Sequence, residues 1–112
     1  MLERRNSDRL SMPGGSVKET NGDYLFSYRA KDLSEEGIFL EGRLCWSKQE
    51  PYSQLTFTLP NGKRISNITA RIVREETKGA RKGSAFEFMN LSEANRMELK
   101  KFFGEFALRG TA

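Results

Sequence analysis

Apolar and polar residues alternate along most of the chain, and this alternation predicts a series of short β-strands. The clearest example spans residues 54–59, where three large apolar side chains are separated by two threonines. A period of two is typical of a strand with one buried and one solvated face. Similar patterns predict further strands over residues 16–20, 24–31, 38–40 and 68–72, and a last strand around Phe86 and Phe88.

The C-terminal segment changes from this period to that of a helix. Asn90 with Glu93 fits a capping box, and Ser92 is the competing cap. Apolar residues then fall on one stripe at a spacing of 3.6 residues, which predicts a face packed on the sheet. The stripe consists of Leu91, Leu99, Phe102, Phe103 and Phe106. Six strands followed by one C-terminal helix predict a mainly β fold, an antiparallel β-barrel with a helix covering one end or side.

Three segments depart from these periods. Ile65 is out of phase with the inward positions of the strand that contains residues 68–72, so a β-bulge is predicted near Ser66-Asn67. Residues 43–52 are predicted to form a loop whose two large aromatic residues, Trp46 and Tyr52, either pack on the barrel end or offer a stacking surface. Residues 77–83 contain two glycines and three cations and are predicted to form an exposed loop.

Composition narrows the class of protein. A chain of 112 residues is large enough for one domain with a modest core. One cysteine and no histidine exclude an intramolecular disulfide and a multi-cysteine zinc site, and they remove the usual general base, so neither a metal site nor an enzyme is expected. No apolar run approaches eighteen residues, which predicts no membrane insertion and a cytoplasmic protein. The net charge of +4 weakly favours an anionic partner.

The N-terminus carries three arginines before any apolar period begins. Arg4 is followed by Arg5 and Arg9, which are four residues apart, so one turn could direct both at a single anion. Arginine binds phosphate bidentately and also matches the edge of guanine. Residues 1–13 lack a strand or helix pattern and end in Pro13-Gly14-Gly15, so they are predicted to be a flexible basic arm. Residues 14–108 then form the barrel and the helix.

A second polar motif lies between two predicted strands. In Asp32-Leu33-Ser34-Glu35-Glu36-Gly37, alternation places Asp32 and Ser34 on one face and Leu33 on the other. The next residues predict a turn in which Gly37 adopts a positive φ and lets a ligand approach the backbone. On its own, this segment also fits an ordinary capped hairpin turn.

Together the two motifs resemble the PilZ domain, a bacterial receptor module for cyclic di-GMP. The Arg-x-x-x-Arg motif of that family is similar to residues 5–9, and its Asp/Asn-x-Ser-x-x-Gly motif is similar to residues 32–37. Residues 70–74, 83–88 and 90–92 also resemble the end of the family's domain. The resemblance implies a six-stranded antiparallel PilZ-type β-barrel with a C-terminal α-helix, and cyclic di-GMP as ligand.

The resemblance also assigns roles to particular residues. It implies that Arg5 and Arg9 bind phosphate and guanine edges, with Arg4 as a further basic contact. It implies that Asp32 accepts from a guanine edge, that Ser34 adds a hydroxyl contact and that Gly37 keeps the surface open. Arg74 is a further candidate, because this strand lines the nucleotide in the family. Neither motif fixes whether one or two nucleotides bind.

The expected mechanism is a conformational switch. The nucleotide bridges the arm and the motif at residues 32–37, and an unidentified protein partner, acting in motility or exopolysaccharide control, recognises the new surface. Two alternatives are open: a PilZ-fold interaction module that binds no nucleotide, and a small nucleic-acid-binding barrel. The second is disfavoured because the aromatic residues fall mostly on inward positions and no basic stripe follows a strand. Nucleic acid is therefore not the expected partner.

Overall fold

Six antiparallel strands close into a barrel in the part of the chain that the computed structural model describes, which is residues 10–77, 79 and 82–110, with side chains from residue 15 to residue 105. The strands are β1 (Leu10–Asn21), β2 (Tyr24–Leu33), β3 (Gly37–Glu41), β4 (Tyr52–Thr58), β5 (Arg64–Glu76) and β6 (Gly83–Met89), and the helix is α1 (Glu93–Gly110). The order around the barrel is β1-β2-β3-β6-β5-β4. This architecture confirms the predicted fold class.

The barrel interior is filled by the inward residues of the alternating strands. Phe86 and Phe88 of β6 are both buried, while Glu87 between them faces outward, as predicted. From α1, Leu99, Phe102 and Phe103 join the same core cluster. The rest of the buried cluster consists of Val17, Ala30, Leu33, Ile38, Leu40, Leu55, Phe57, Leu59, Ile65, Ile68 and Ala70. The helix therefore closes the barrel with the predicted stripe; the side chain of Phe106 lies outside the described residues.

β1 begins earlier than predicted. Its first residue is Leu10 instead of Ser16, and it continues through Pro13-Gly14-Gly15 with an irregularity in its pairing to β2 between Ser11 and Gly15. A proline lacks the ladder donor but is tolerated where pairing is already interrupted, so the expected chain break becomes an irregularity within a strand. The predicted arm of residues 1–13 thus overlaps β1 at its last four residues, and residues 1–9 lie outside the described residues.

The predicted β5 bulge is present. Leu55 pairs with Ile68 and Phe57 pairs with Ile65, so one β4 residue faces two β5 residues, Ser66 and Asn67. Asn67 has a φ of 55°, and its backbone N–H donates to the Thr56 hydroxyl at 3.1 Å. The extra residue restores the inward phase of the strand after Ile65.

Ser92, not Asn90, caps the helix. The Ser92 hydroxyl accepts a hydrogen bond from the backbone N–H of Asn95 at 3.1 Å, as an N-cap does for the third helical residue. Asn90 has a φ of 48°, outside the extended conformation usual for a cap, so the capping box starting at Asn90 is wrong.

No helix in the described part of the chain has the length and apolar character needed to cross a lipid bilayer.

A buried ion pair fastens the loop between β3 and β4. Arg43 donates from Nε to Glu19 Oε1 at 2.8 Å and from a terminal nitrogen to Glu19 Oε2 at 2.7 Å, and both side chains are fully buried. The other terminal nitrogen of Arg43 donates to the Leu44 carbonyl at 3.0 Å and to Gln49 Oε1 at 2.9 Å. The loop is therefore held against β1 from inside the barrel end.

The two aromatic residues of the predicted loop, Trp46 and Tyr52, lie in different environments. Trp46 packs edge-on against Tyr24 and Phe26, with ring centroids 5.0 and 6.0 Å apart, and the Arg43 guanidinium lies 5.7 Å from its ring centre. Trp46 therefore follows the packing alternative. Tyr52, which is half exposed, lies at the start of β4 opposite Arg71.

Candidate functional site

A β-bulge in β2 turns Asp32 to the outside of the barrel. Ala30 pairs with Leu40 and Asp32 pairs with Phe39, so two steps along β2 correspond to one along β3. Ala30 is inside the core, and strict alternation would place Asp32 inside as well. The extra residue, Lys31, reverses the phase, so Leu33 is buried while Asp32 and Ser34 are half-buried. The predicted division of the motif between two faces is therefore correct, and its structural cause is the bulge.

A second bulge acts in the same way on β5. Ile72 pairs with Phe86 and Arg74 pairs with Ala85, which leaves Val73 as the extra residue. Ile68, Ala70 and Ile72 face the core, so uninterrupted alternation would send Arg74 inward. Because of the bulge, the Arg74 side chain is instead on the outer surface, with 47% of its area exposed.

The turn after Asp32 is organised by the Ser34 hydroxyl. This oxygen accepts hydrogen bonds from the backbone N–H groups of Glu36 and Gly37, both at 3.2 Å, and the Ser34 N–H donates to the Gly37 carbonyl at 2.9 Å. Hydroxyl-to-backbone bonds of this kind fix a tight turn. The described contacts of Ser34 are thus internal to the motif, and its contact with a ligand stays a prediction.

Gly37 is required for a reason other than the predicted one. Its φ is not among the positive values in the structure, so the expectation of a left-handed residue is wrong. Instead, a Cβ atom at Gly37 would lie 2.1 Å from the carbonyl oxygen of Phe86 on the neighbouring strand. The glycine therefore permits a close approach of β3 to β6, and it also leaves the outer surface above it without a side chain.

These residues meet at a cavity on the outer face of β3, β5 and β6. Its volume is about 290 Å³, and its lining includes Ser34, Gly37 and Arg74, three of the predicted site residues. Asp32 is not part of the lining; it lies beside the cavity on β2, paired with Phe39. The remaining lining residues are Glu36, Ile38, Phe39, Val73, Ala85, Phe86 and Glu87.

The floor of the cavity was not predicted from the sequence. Phe39 lies between the inward residues Ile38 and Leu40, so it points outward, yet it is completely buried. It pairs with Ala85, a small residue that leaves room above the sheet. A large apolar residue at an outward position was the available signal, because such a residue is normally covered by something.

Two ion pairs flank the cavity. Arg71 donates to Glu87 Oε1 at 2.8 Å, and Arg74 donates from Nε to Glu76 Oε2 at 2.8 Å. The hydrogen bond and the charge of Glu87 raise the pKa of the Arg71 guanidinium above its ordinary value. All four side chains are at least partly solvated, so both ion pairs lie at the surface beside the cavity. Among the described residues, no group of three or more potential ligands is arranged to hold a metal ion.

The three N-terminal arginines, Arg4, Arg5 and Arg9, lie outside the described residues, so their predicted contacts are not located by the structure. The first described residue, Leu10, pairs with Leu33, and Ser11 pairs with Asp32. The chain therefore joins the barrel next to the motif at residues 32–37.

Substitution of Gly37 by alanine tests the close contact between β3 and β6. The new methyl group would overlap the Phe86 carbonyl, so we expect a loss of about 1–3 kcal/mol in the free energy of unfolding, as for other overpacked sites. Urea denaturation measures this loss. Gly104→Ala is the matched control, because nothing lies within 4 Å of its Cβ position and the helix gains up to about 1 kcal/mol. Equal stabilities for the two variants would contradict the explanation of Gly37.

Comparison with protein families gives one match that covers most of the chain. The family model described as the PilZ domain matches residues 3–105. This range includes both sequence motifs and all six strands. No curated protein sequence matches the chain significantly.

Solved structures share the fold. The inhibitor of motility MotI, also called DgrA, from Bacillus subtilis superposes with a TM-score of 0.70 and 17% identity over 96% of this chain and 53% of its own. YcgR from Escherichia coli, solved in complex with cyclic di-GMP, gives a TM-score of 0.72 and 18% identity over 98% of this chain and 49% of its own.

The PilZ domain of YcgR, also solved with cyclic di-GMP, gives a TM-score of 0.62 and 19% identity over 96% of this chain and 95% of the domain. The chain thus spans about half the length of MotI and full YcgR. At these identities the likeness shows a common fold.

Proposed function

The chain belongs to the PilZ domain family, and from this premise we propose that it is a receptor for cyclic di-GMP. One observation carries the proposal. The cavity on the outer face of the barrel joins Ser34 and Gly37 of the second motif to the outward-turned Arg74. The same ligand is bound by YcgR, which has this fold.

The N-terminal arginines complete the site in this proposal. Arg9 is bonded to Leu10, and β1 pairs with β2 at the motif through Leu10 and Ser11. Consecutive Cα atoms are about 3.8 Å apart, so the chain itself limits Arg9 to one residue length, and Arg5 to five, from Leu10 beside the second motif. We assign to Arg5 and Arg9 the phosphates and guanine edges of the ligand, with Arg4 as a further cationic contact.

The barrel residues provide complementary contacts. Asp32, turned outward by the bulge in β2, accepts hydrogen bonds from a guanine edge. The Ser34 hydroxyl makes a long bond of 3.5 Å to the Gly37 carbonyl and can redirect this hydrogen to the ligand while its oxygen continues to accept from the turn. Arg74 faces the cavity from β5 and provides a charge for a phosphate or a plane for base stacking.

We propose that ligand binding signals by changing the molecular surface around the cavity. Because residues 10–13 of the predicted arm are already part of β1, we assign the change to the basic residues before Leu10: binding holds them against the outer face of the barrel, and a protein partner recognises the new surface. The MotI neighbour is named an inhibitor of motility, which makes control of motility a specific candidate, beside exopolysaccharide synthesis. We place this receptor in the cytoplasm of a bacterium.

We propose a binding role without catalysis. The sequence has no histidine and one cysteine, Cys45. Desolvation and the neighbouring Glu75 carboxylate raise the pKa of the Cys45 thiol, so it is protonated at neutral pH and a weak nucleophile.

Calorimetric titration with cyclic di-GMP, cyclic di-AMP and GTP in parallel tests the proposal. We expect saturable binding of cyclic di-GMP in the micromolar range or tighter and much weaker binding of the other two, because several contacts of the Arg–guanine type each contribute about 1–3 kcal/mol. No heat with cyclic di-GMP would overturn the proposal. Binding to single-stranded nucleic acid with a steep salt dependence would favour the nucleic-acid alternative instead.

A further inference from the structure

The cavity contains an acidic side chain that binding of phosphate does not explain. Glu87 lines the cavity together with Ser34, Gly37 and Arg74. A carboxylate repels a ligand with two phosphates, so its presence in the lining calls for a hydrogen-bond donor on the ligand. Resting on the proposed function, we propose that Glu87 is a specificity-determining residue that accepts hydrogen bonds from the N1–H and the exocyclic amine of a guanine base.

The neighbours of Glu87 leave its carboxylate accessible on one side. On β3 it faces Gly37, which has no side chain, and on β5 it faces Arg71. The surface between Glu87 and Ser34 is therefore open, with the backbone of Gly37 beneath it. Glu87 has 45% of its side-chain area exposed, so it reaches the cavity without first being uncovered.

Arg71 orients the Glu87 carboxylate through a hydrogen bond to one of its two oxygens. Its terminal nitrogen donates to Oε1 of Glu87 at 2.8 Å. Among the described residues, no hydrogen bond to Oε2 of Glu87 is present, and each carboxylate oxygen has two acceptor positions. Arg71 is thus a positioning residue: it orients Glu87, and Glu87 contacts the base.

The chemistry distinguishes guanine from adenine. Guanine presents two adjacent donors on its Watson–Crick edge, and an ionised carboxylate offers two acceptors and no donor. Adenine presents one donor, its exocyclic amine, beside the acceptor N1. The N1 atom carries no hydrogen, so it would face a carboxylate oxygen with no hydrogen bond between them. A site built from an acceptor pair therefore rejects adenine, because one polar group on each side is left unpaired.

Glu36 also lines the cavity but is a poorer choice for this role. It is exposed and lies in the turn that Ser34 organises, whereas Glu87 is half-buried and lies within β6. A side chain that recognises a base is positioned more accurately when its backbone lies in a strand than when it lies in a turn. For this reason we assign the discrimination to Glu87.

The test is the ratio of affinities for cyclic di-GMP and for the mixed cyclic dinucleotide with one guanine and one adenine. Calorimetry on the full chain gives this ratio for wild type, Glu87→Gln and Arg71→Ala, with circular dichroism as the check on folding. We expect Glu87→Gln to lower the ratio on the order of tenfold, since the amide replaces one acceptor by a donor. Arg71→Ala lowers the same ratio by a smaller factor, because the carboxylate remains but is no longer oriented.

Glu41→Gln is the matched control, because it removes one exposed carboxylate at the end of β3 and outside the cavity lining. We expect its ratio to equal that of wild type. An unchanged ratio in Glu87→Gln, with wild type binding cyclic di-GMP, overturns this inference and leaves the receptor proposal standing. A fall in the ratio with Glu36→Gln alone would overturn it in the same way. Absence of binding by wild type overturns both.

Discussion

Replacing Arg43 by alanine is expected to lower the free energy of unfolding by about 3–5 kcal/mol, the cost of breaking a buried ion pair from one side. Glu19 would lose its ion-pair partner at a fully buried position, with the Ser53 hydroxyl, 2.5 Å from Oε2, as its remaining described partner. The loop would also lose the bonds from Arg43 to Leu44 and Gln49. A change of this size is a large share of the stability of a small domain.

Urea denaturation of three variants separates the ion pair from simple loss of packing. Arg43→Ala and Glu19→Gln each remove one partner, and the double variant Glu19→Gln/Arg43→Ala removes both charges. We expect the double variant to be less destabilised than the sum of its parts, because no unpaired charge remains in the core. Strict additivity, or an Arg43→Ala variant within about 0.5 kcal/mol of wild type, would show that the pair contributes little beyond a surface bridge.

The charge of Arg43 does not depend on pH near neutrality. Burial lowers the pKa of the Arg43 guanidinium, but the hydrogen bond and charge of Glu19 raise it by more, and the net shift is upward from an already high value. The arginine therefore stays protonated through the physiological range, so its own titration is expected to add no pH dependence to the stability of the wild-type protein between pH 6 and pH 8, as urea denaturation at the two pH values would measure.

Arg5→Ala and Arg9→Ala are each expected to reduce the affinity for cyclic di-GMP by at least tenfold, and together to abolish binding. Each arginine supplies a charge-assisted and bidentate contact of about 1–3 kcal/mol, and none of the other proposed contacts replaces it. Both precede Leu10, the first residue of the barrel, so their removal takes no side chain from the described core. The free energy of unfolding is expected to change by less than about 0.5 kcal/mol.

Arg64→Ala provides the control for this experiment. It removes the same charge from an exposed position at the start of β5, at the opposite end of that strand from Arg74. We expect its affinity to match that of wild type at moderate salt. Wild-type affinity in both Arg5→Ala and Arg9→Ala would refute the assignment of the N-terminal motif. An equal loss in Arg64→Ala would indicate a general electrostatic attraction without a specific site.

Much of the fold follows from local patterns. Alternation in β4 and β6 correctly gave the inward residues Leu55, Phe57, Phe86 and Phe88, and the phase slip at Ile65 correctly predicted a bulge in β5. These predictions succeed because burial of alternate apolar residues is determined by the residues of the strand itself. The start of β1 was missed, since a Pro-Gly-Gly segment usually ends a strand and here continues as an irregularity paired to β2.

The sequence proposed ligand-binding residues but not how they are arranged. In the structure Ser34, Gly37 and Arg74 line one cavity, and their contact with a ligand stays a prediction. The reason given for Gly37 was wrong, because its role is to let β3 approach β6. Ala85 and Glu87 were missed because they come from β6, far from the motif in sequence. Phe39 was missed although it follows the motif directly, because a buried apolar residue in a strand gives no sign that it points outward.

The order of amino acids alone thus determined which segments become strands, which side of most strands is buried, and which short motifs carry charge and hydroxyl groups. Only the closed barrel decided that Asp32 and Arg74 face outward, because each follows a bulge whose position depends on the register with a neighbouring strand. It also decided that Arg43 is paired with Glu19, 24 residues earlier in the chain. Local patterns report the polarity of each residue, whereas phase reversals and buried charge pairs depend on which strands lie side by side.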